Sequence, residues 1–179
     1  MYEIGDVIMY ASTGVCEVVD IITLDEMRDV PKGQLHYKLK PLYENCEIFT
    51  PVENSKAYLR PVISAEEANG IIDSIPDIKI ETFSGGSIQQ LKDKYKAYLS
   101  THSHRDLLTL TMSLYEKKQS KKFNQVDDTY MKRAEALLLG ELAVALGIEK
   151  TEVSAYIADR LREKKNGGIF ARESEKSAN

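Results

Sequence analysis

The pattern of this chain changes once, at Val62-Ile63-Ser64, and that switch constrains the fold more than any other feature. Before it, short β-branched runs alternate apolar and polar residues. After it, apolar residues recur at three- and four-residue spacing. A β part followed by an α part implies the α+β class, not interleaved βαβ units. The expected division is a β domain over residues 1–62, a helical domain over 63–165, and a polar tail over 166–179 that is expected to be disordered.

Within the first part, Val7-Ile8-Met9-Tyr10 is apolar and Ser12-Thr13-Gly14 marks a turn. Val15–Ile22 is rich in β-branched residues. Asp29-Val30-Pro31-Lys32-Gly33 is a second turn. His36–Leu42 alternates, with Tyr37 and Leu39 apolar and His36, Lys38 and Lys40 polar. Cys46–Val52 reads as a fourth strand, and Leu59–Val62 closes the set. Short antiparallel strands in so small a span suggest a bent SH3-like or Tudor-like sheet. Pro51 has no N–H to give to a ladder, so the strand that carries it belongs at an edge. An open edge can accept a strand from a partner.

The helical part opens on a capping box, Ser64-Ala65-Glu66-Glu67. After a connection through Ser84-Gly85-Gly86-Ser87, helices are expected over residues 87–100, 103–119, from Asp127 as N-cap to Gly147, and over 151–165.

Charge is distributed unevenly. The whole chain is −4, yet residues 84–133 hold 10 basic and 5 acidic side chains, and residues 1–62 hold 6 basic and 10 acidic. Nine of these ten basic residues fall at Lys92, Lys94 and Lys96, at Lys117, Lys118, Lys121 and Lys122, and at Lys132 and Arg133. Such a segment reads either as a contact to a polyanion, with Lys–phosphate pairs that are blind to sequence, or as a solvated helical face. No apolar run is long enough for a membrane span. The acidic start MYEIGDVIMY does not resemble a signal peptide, so a cytoplasmic protein is expected. Cys16 and Cys46 are too few for a disulfide framework and are expected to be small buried side chains.

Signals for catalysis are absent. Gly85-Gly86 lacks the Gly-Lys-Ser/Thr continuation of a phosphate loop, and no GxSxG motif occurs. The pair His102 and His104 is expected to be two exposed imidazoles at a helix start, with too few neighbouring ligands for a metal. Carboxylates lie spread over helical surfaces, with no acid/base pair in an apolar setting. No catalytic residue, metal or cofactor is therefore expected, and a binding role is.

Taken in order, Ile4-Gly5-Asp6-Val7-Ile8-Met9-Tyr10, Gly14, Ile21, Tyr37-Lys38-Leu39-Lys40 and Ile48-Phe49-Thr50-Pro51-Val52-Glu53-Asn54 resemble the N-terminal module of the CarD/CdnL family. Lys94-Tyr95-Lys96, Leu114-Tyr115 and Leu138-Leu139-Gly140-Glu141-Leu142-Ala143 resemble its second half. The resemblance implies a Tudor-like domain that binds the β subunit of bacterial RNA polymerase through a sheet edge. It also implies a helical domain that contacts promoter DNA, mainly its phosphates, and stabilises the open complex. Carried over by position, the polymerase face is Leu24 with Glu47, Ile48, Phe49 and Pro51. Some relatives place Arg at the positions of Leu24 and Phe49, so apolar packing replaces ion pairs here.

For the DNA side the resemblance assigns Leu91, Lys92, Lys94 and Lys96, and the clustering of basic residues adds Lys132 and Arg133. The family pattern has a tryptophan wedge where this chain has Leu91, and the chain contains no Trp. Asp93 also stands where relatives are often basic. Leu91 is either an apolar wedge at a base step or a core residue one helical turn before Tyr95. Two readings follow: a non-enzymatic transcription regulator that bridges polymerase and promoter, or a protein–protein adaptor with no DNA role. A monomer is expected, and the open β edge also permits a domain-swapped dimer. The same β module occurs in the transcription-repair coupling helicase, whose ATPase motifs this sequence lacks.

Overall fold

In the computed structural model, the residues described are 1–10, 13–26, 30–53, 57–83 and 86–177, with side chains described up to residue 165. Ser12, Asp29, Asn54, Ser84 and Gly85, which the sequence places in turns, connections or the family pattern, lie outside the described residues. The chain forms two compact units, Met1–Ile63 and Ser64–Asn179. The α+β expectation is borne out: an antiparallel five-stranded sheet is followed by helices.

The first unit holds β1 (Val7–Tyr10), β2 (Gly14–Thr23), β3 (Leu35–Pro41), β4 (Ile48–Pro51) and β5 (Leu59–Pro61) in the order β4-β3-β2-β1-β5. Gly14, at φ +102°, takes the left-handed turn between β1 and β2 that a side chain would resist. The β2–β3 register shifts between Val18 and Asp20, a bulge that bends the long central strand. Ile8, Cys16, Val18, Tyr37 and Leu39 form the core, and the Tyr37 hydroxyl accepts the Tyr2 N–H at 2.8 Å. His36, a polar position in the alternation of this strand, is buried, its Nδ1 3.0 Å from the Gln34 carbonyl. Cys46 also departs from expectation: it is exposed, because it falls in the connection before β4. Cys16 is buried, and desolvation pushes its thiol up to about 12, so it stays protonated at neutral pH.

The second unit comprises α1 (Ala65–Asp73), a 3₁₀ turn at Ile75–Asp77, α2 (Ile88–Ser100), α3 (His104–Lys118), α4 (Gln125–Leu146) and α5 (Val153–Ser177). The Ser64 capping box forms in full, with Glu67 N–H donating to Ser64 Oγ and Ser64 N–H to the Glu67 carboxylate. The N-cap of α4 is Asn124, not Asp127 as the sequence suggested. Asn124 Oδ1 accepts the N–H groups of Val126 and Asp127, and Asp127 reaches back to Asn124 N–H at 2.9 Å. Gly147, at φ +66°, ends α4 in the left-handed conformation. Helix α5 continues through Ser177, past Asn166, where a disordered tail was expected to begin.

Asp127 does more than cap. Its carboxylate is fully buried and accepts from Tyr95 Oη of α2 at 2.6 Å and from Lys117 Nζ of α3 at 2.8 Å. Around it pack Phe83, Leu91, Tyr95, Leu107, Leu110, Leu114, Met131, Ala134 and Leu137. Helix α5 is tied to α1 by Arg160, which grips Asp73 at 2.8 and 3.0 Å, and by Tyr156 Oη donating to Asn69 at 2.8 Å. The Arg160 guanidinium holds the Asp73 carboxyl below the usual carboxylate range. Lys117→Met removes the cation and leaves Asp127 buried without its countercharge. It is expected to cost about 3–5 kcal/mol, read as a lower urea midpoint in far-UV circular dichroism.

Candidate functional site

Two surfaces gather the residues singled out by sequence. The first is β4. The Val52 N–H donates to the Leu35 carbonyl at 2.9 Å, so the alternation of an antiparallel strand turns the backbone of Phe49 and Pro51 away from β3. Among the described residues no strand pairs with that edge, since β4 is outermost. Pro51 contributes only an acceptor there, so Phe49 offers the edge its N–H and carbonyl together, and the residue is 38% exposed.

The register aligns Ile22, His36 and Pro51 across three strands, so Leu24 lies beyond the same end of the sheet as Pro51. Leu24, Ile48 and Pro51 are half-buried, whereas Glu47 is exposed and paired with Lys38 at 2.8 Å. Leu35 is exposed at that same end, and sequence reasoning missed it. Its place at the first residue of β3, beside the Pro31–Gly33 turn, was the available signal.

The second surface lies on the helical unit. Lys92 and Lys96 are one turn apart on α2. Gln125, Thr129 and Arg133 form an i, i+4, i+8 row on α4, with Val126 and Tyr130 beside it. Together they line a groove of about 480 Å³. The structure thus brings Lys92, Lys96 and Arg133 together and leaves Lys94 and Lys132 outside the groove. Lys132 pairs with Asp128 at 2.7 Å. Lys117, which the sequence placed in a basic loop, serves the buried Asp127 instead.

Leu91 is corrected here: it is a core residue and not an exposed wedge. Only 8% of it is accessible, because Leu91 and Tyr95 share the stripe of α2 that meets α3 and α4. His102 and His104, expected to be exposed, are half-buried. His104 Nε2 lies 2.9 Å from the carboxylate of buried Glu141. Among the described residues, no group of three or more His, Cys, Asp or Glu side chains comes together to hold a metal. No described helix is long and apolar enough to cross a membrane. Tyr130 was missed by the sequence reading, although its i+4 step from Val126 could have marked it.

Residues 2–63 match the sequence model of the CarD-like/TRCF RID domain, a span that takes in all five strands. The first unit is similar to CarD-like/TRCF RID domains. The match supports a CarD-like family member, and a RID domain marks a transcription-related protein that interacts with RNA polymerase. The family is a non-enzymatic interaction domain. No curated protein matches the chain.

The matched span carries the outer β4 edge, and the cationic groove lies beyond it in the sequence, where the match no longer extends. Leu91→Ala is expected to lower the stability of the chain by about 2–5 kcal/mol, while Leu91→Met stays close to the native value. Thermal melts of the two variants make the comparison, and an unchanged Leu91→Ala melt contradicts the core assignment.

Proposed function

We propose that this protein is a non-enzymatic transcription regulator that binds the β subunit of RNA polymerase through β4 and contacts promoter DNA through its helical unit, stabilising the open complex. The observation that carries this reading is the outer edge of β4 in a unit similar to RID domains, with Phe49 exposed upon it. A strand of the polymerase pairs with Phe49 and packs on its ring, with Leu24, Ile48 and Pro51 extending the apolar contact and Glu47 at its rim. The regulator works as a monomer in the cytoplasm, beside the polymerase.

Lys92, Lys96 and Arg133 supply the DNA contact, and Lys94 and Lys132 add positive charge to the same two helices. These cations meet phosphates and add affinity without reading sequence, so promoter choice comes from the polymerase. Leu91 has no part in the contact because it is buried. That burial favours the adaptor reading as the alternative, since the chain then presents no apolar wedge at the Leu91 position.

Phe49→Glu is expected to weaken capture of the isolated β subunit at least about tenfold, in a pull-down with purified proteins. Undiminished capture removes β4 from the interface. Changing Lys92, Lys96 and Arg133 together to Glu is expected to flatten the salt dependence of duplex binding by roughly 2–3 in log–log slope. If duplex binding and its slope are unchanged, the adaptor reading replaces the DNA-binding one.

A further inference from the structure

The groove between α2 and α4 contains more than phosphate contacts need. Duplex backbone requires only exposed cations. Here three cations surround a concave site whose lining includes Val126 and the ring of Tyr130, and no carboxylate lines it. Its volume of about 480 Å³ falls within the range of clefts that enclose small organic ligands, roughly 300–1,000 Å³. Tyr130 is held in place because it packs on the core, with its ring centroid 5.3 Å from that of Tyr95. Tyr95 is in turn fixed by its 2.6 Å bond to Asp127. A ring fixed in this way loses little freedom when a second aromatic group stacks on it.

The polar lining is specific as well. The N–H groups of Val126 and Asp127 are already taken by Asn124, so they are not offered to an anion at this end of α4. The side chains of Lys92, Lys96 and Arg133 line the groove. Thr129 Oγ1 donates to the Gln125 carbonyl at 2.9 Å, which leaves its oxygen as an acceptor. The Gln125 amide adds both a donor and an acceptor for the edge of a planar ring.

We propose that this groove is a subsite for one unstacked nucleotide, with its phosphate among Lys92, Lys96 and Arg133 and its base against Tyr130. The inference rests on the nucleic-acid reading of the helical unit and deepens it, from backbone contact to capture of a single base. The nucleotide belongs either to an unpaired stretch of a strand or to a free mononucleotide.

The test uses the full chain. Fluorescence anisotropy compares a short labelled oligo(dT) with a duplex of equal length, for the native protein, Tyr130→Leu and Tyr130→Phe. Tyr130→Leu is expected to weaken oligo(dT) binding about tenfold while duplex binding holds, and Tyr130→Phe is expected to keep both. In parallel, an oligonucleotide carrying 4-thiothymidine is photocrosslinked to the native protein, and the adduct is expected on Tyr130. This arm decides the matter if Tyr130→Leu does not fold.

Competition with dTMP separates the two sources. Displacement of oligo(dT) by dTMP assigns the subsite to a free nucleotide as well, and failure to displace it assigns the subsite to a strand. Oligo(dT) binding that is unchanged in folded Tyr130→Leu overturns the subsite, as do crosslinks that avoid Tyr130. The charge-reversed triple variant tests the backbone contact by itself: if it loses duplex binding while folded Tyr130→Leu keeps its oligo(dT) binding, the subsite falls and the backbone contact stands.

Discussion

The helical unit depends on one carboxylate. Asp127 is fully buried, and a charge in that position is tolerated only if it is paired and hydrogen-bonded. Its partners come from three places: Tyr95 of α2, Lys117 at the end of α3, and the Asn124 N–H at the start of its own helix. Each bond is directional, so the three helices are fixed in azimuth as well as in distance. The surrounding leucines supply most of the burial energy but would tolerate other rotations. Asp127 therefore selects one packing among several that are comparably apolar, and through Tyr95 it also fixes where Tyr130 stands.

The sheet unit is organised by a different constraint. Pro51 cannot donate, and only an outermost strand tolerates that. Its backbone, with that of Phe49, therefore turns away from β3. Such an edge invites pairing with another chain, and natural sheets usually block it. Here the blocking is partial: Pro51 removes one donor, Glu47 and Lys38 form an ion pair at 2.8 Å, and the exposed Phe49 remains. An edge left open at one residue suits a single short partner strand better than unlimited stacking.

Much of the fold was legible locally. The capping box at Ser64, the left-handed stop at Gly147 and the edge position of β4 each rest on a few neighbouring residues, and each formed. Local pattern falls short where distant residues decide. His36 holds a polar position in the alternation, yet β3 is flanked by β2 and β4, and the site is buried. Asp127 has the chemistry of an N-cap, but Asn124 holds two N–H groups and leaves Asp127 free to serve α2 and α3. His104 meets Glu141 across a separation of 37 residues, which no local pattern reports.

The sequence by itself determined the β-then-α order, the outer strand edge and the concentration of cations in the helical unit. These follow from period, from the chemistry of proline and from charge count, all of which are local. Only the tertiary structure decided what each cation does. Helical spacing placed Leu91 with Tyr95, and Lys92 with Lys96, on neighbouring stripes, but it did not say which stripe turns inward. Packing against α3 and α4 buried the first stripe and left the second beside Arg133, while a buried carboxylate took Lys117. The basic aromatic stretch was therefore two things at once: its tyrosine and leucine are core, and two of its lysines line the groove.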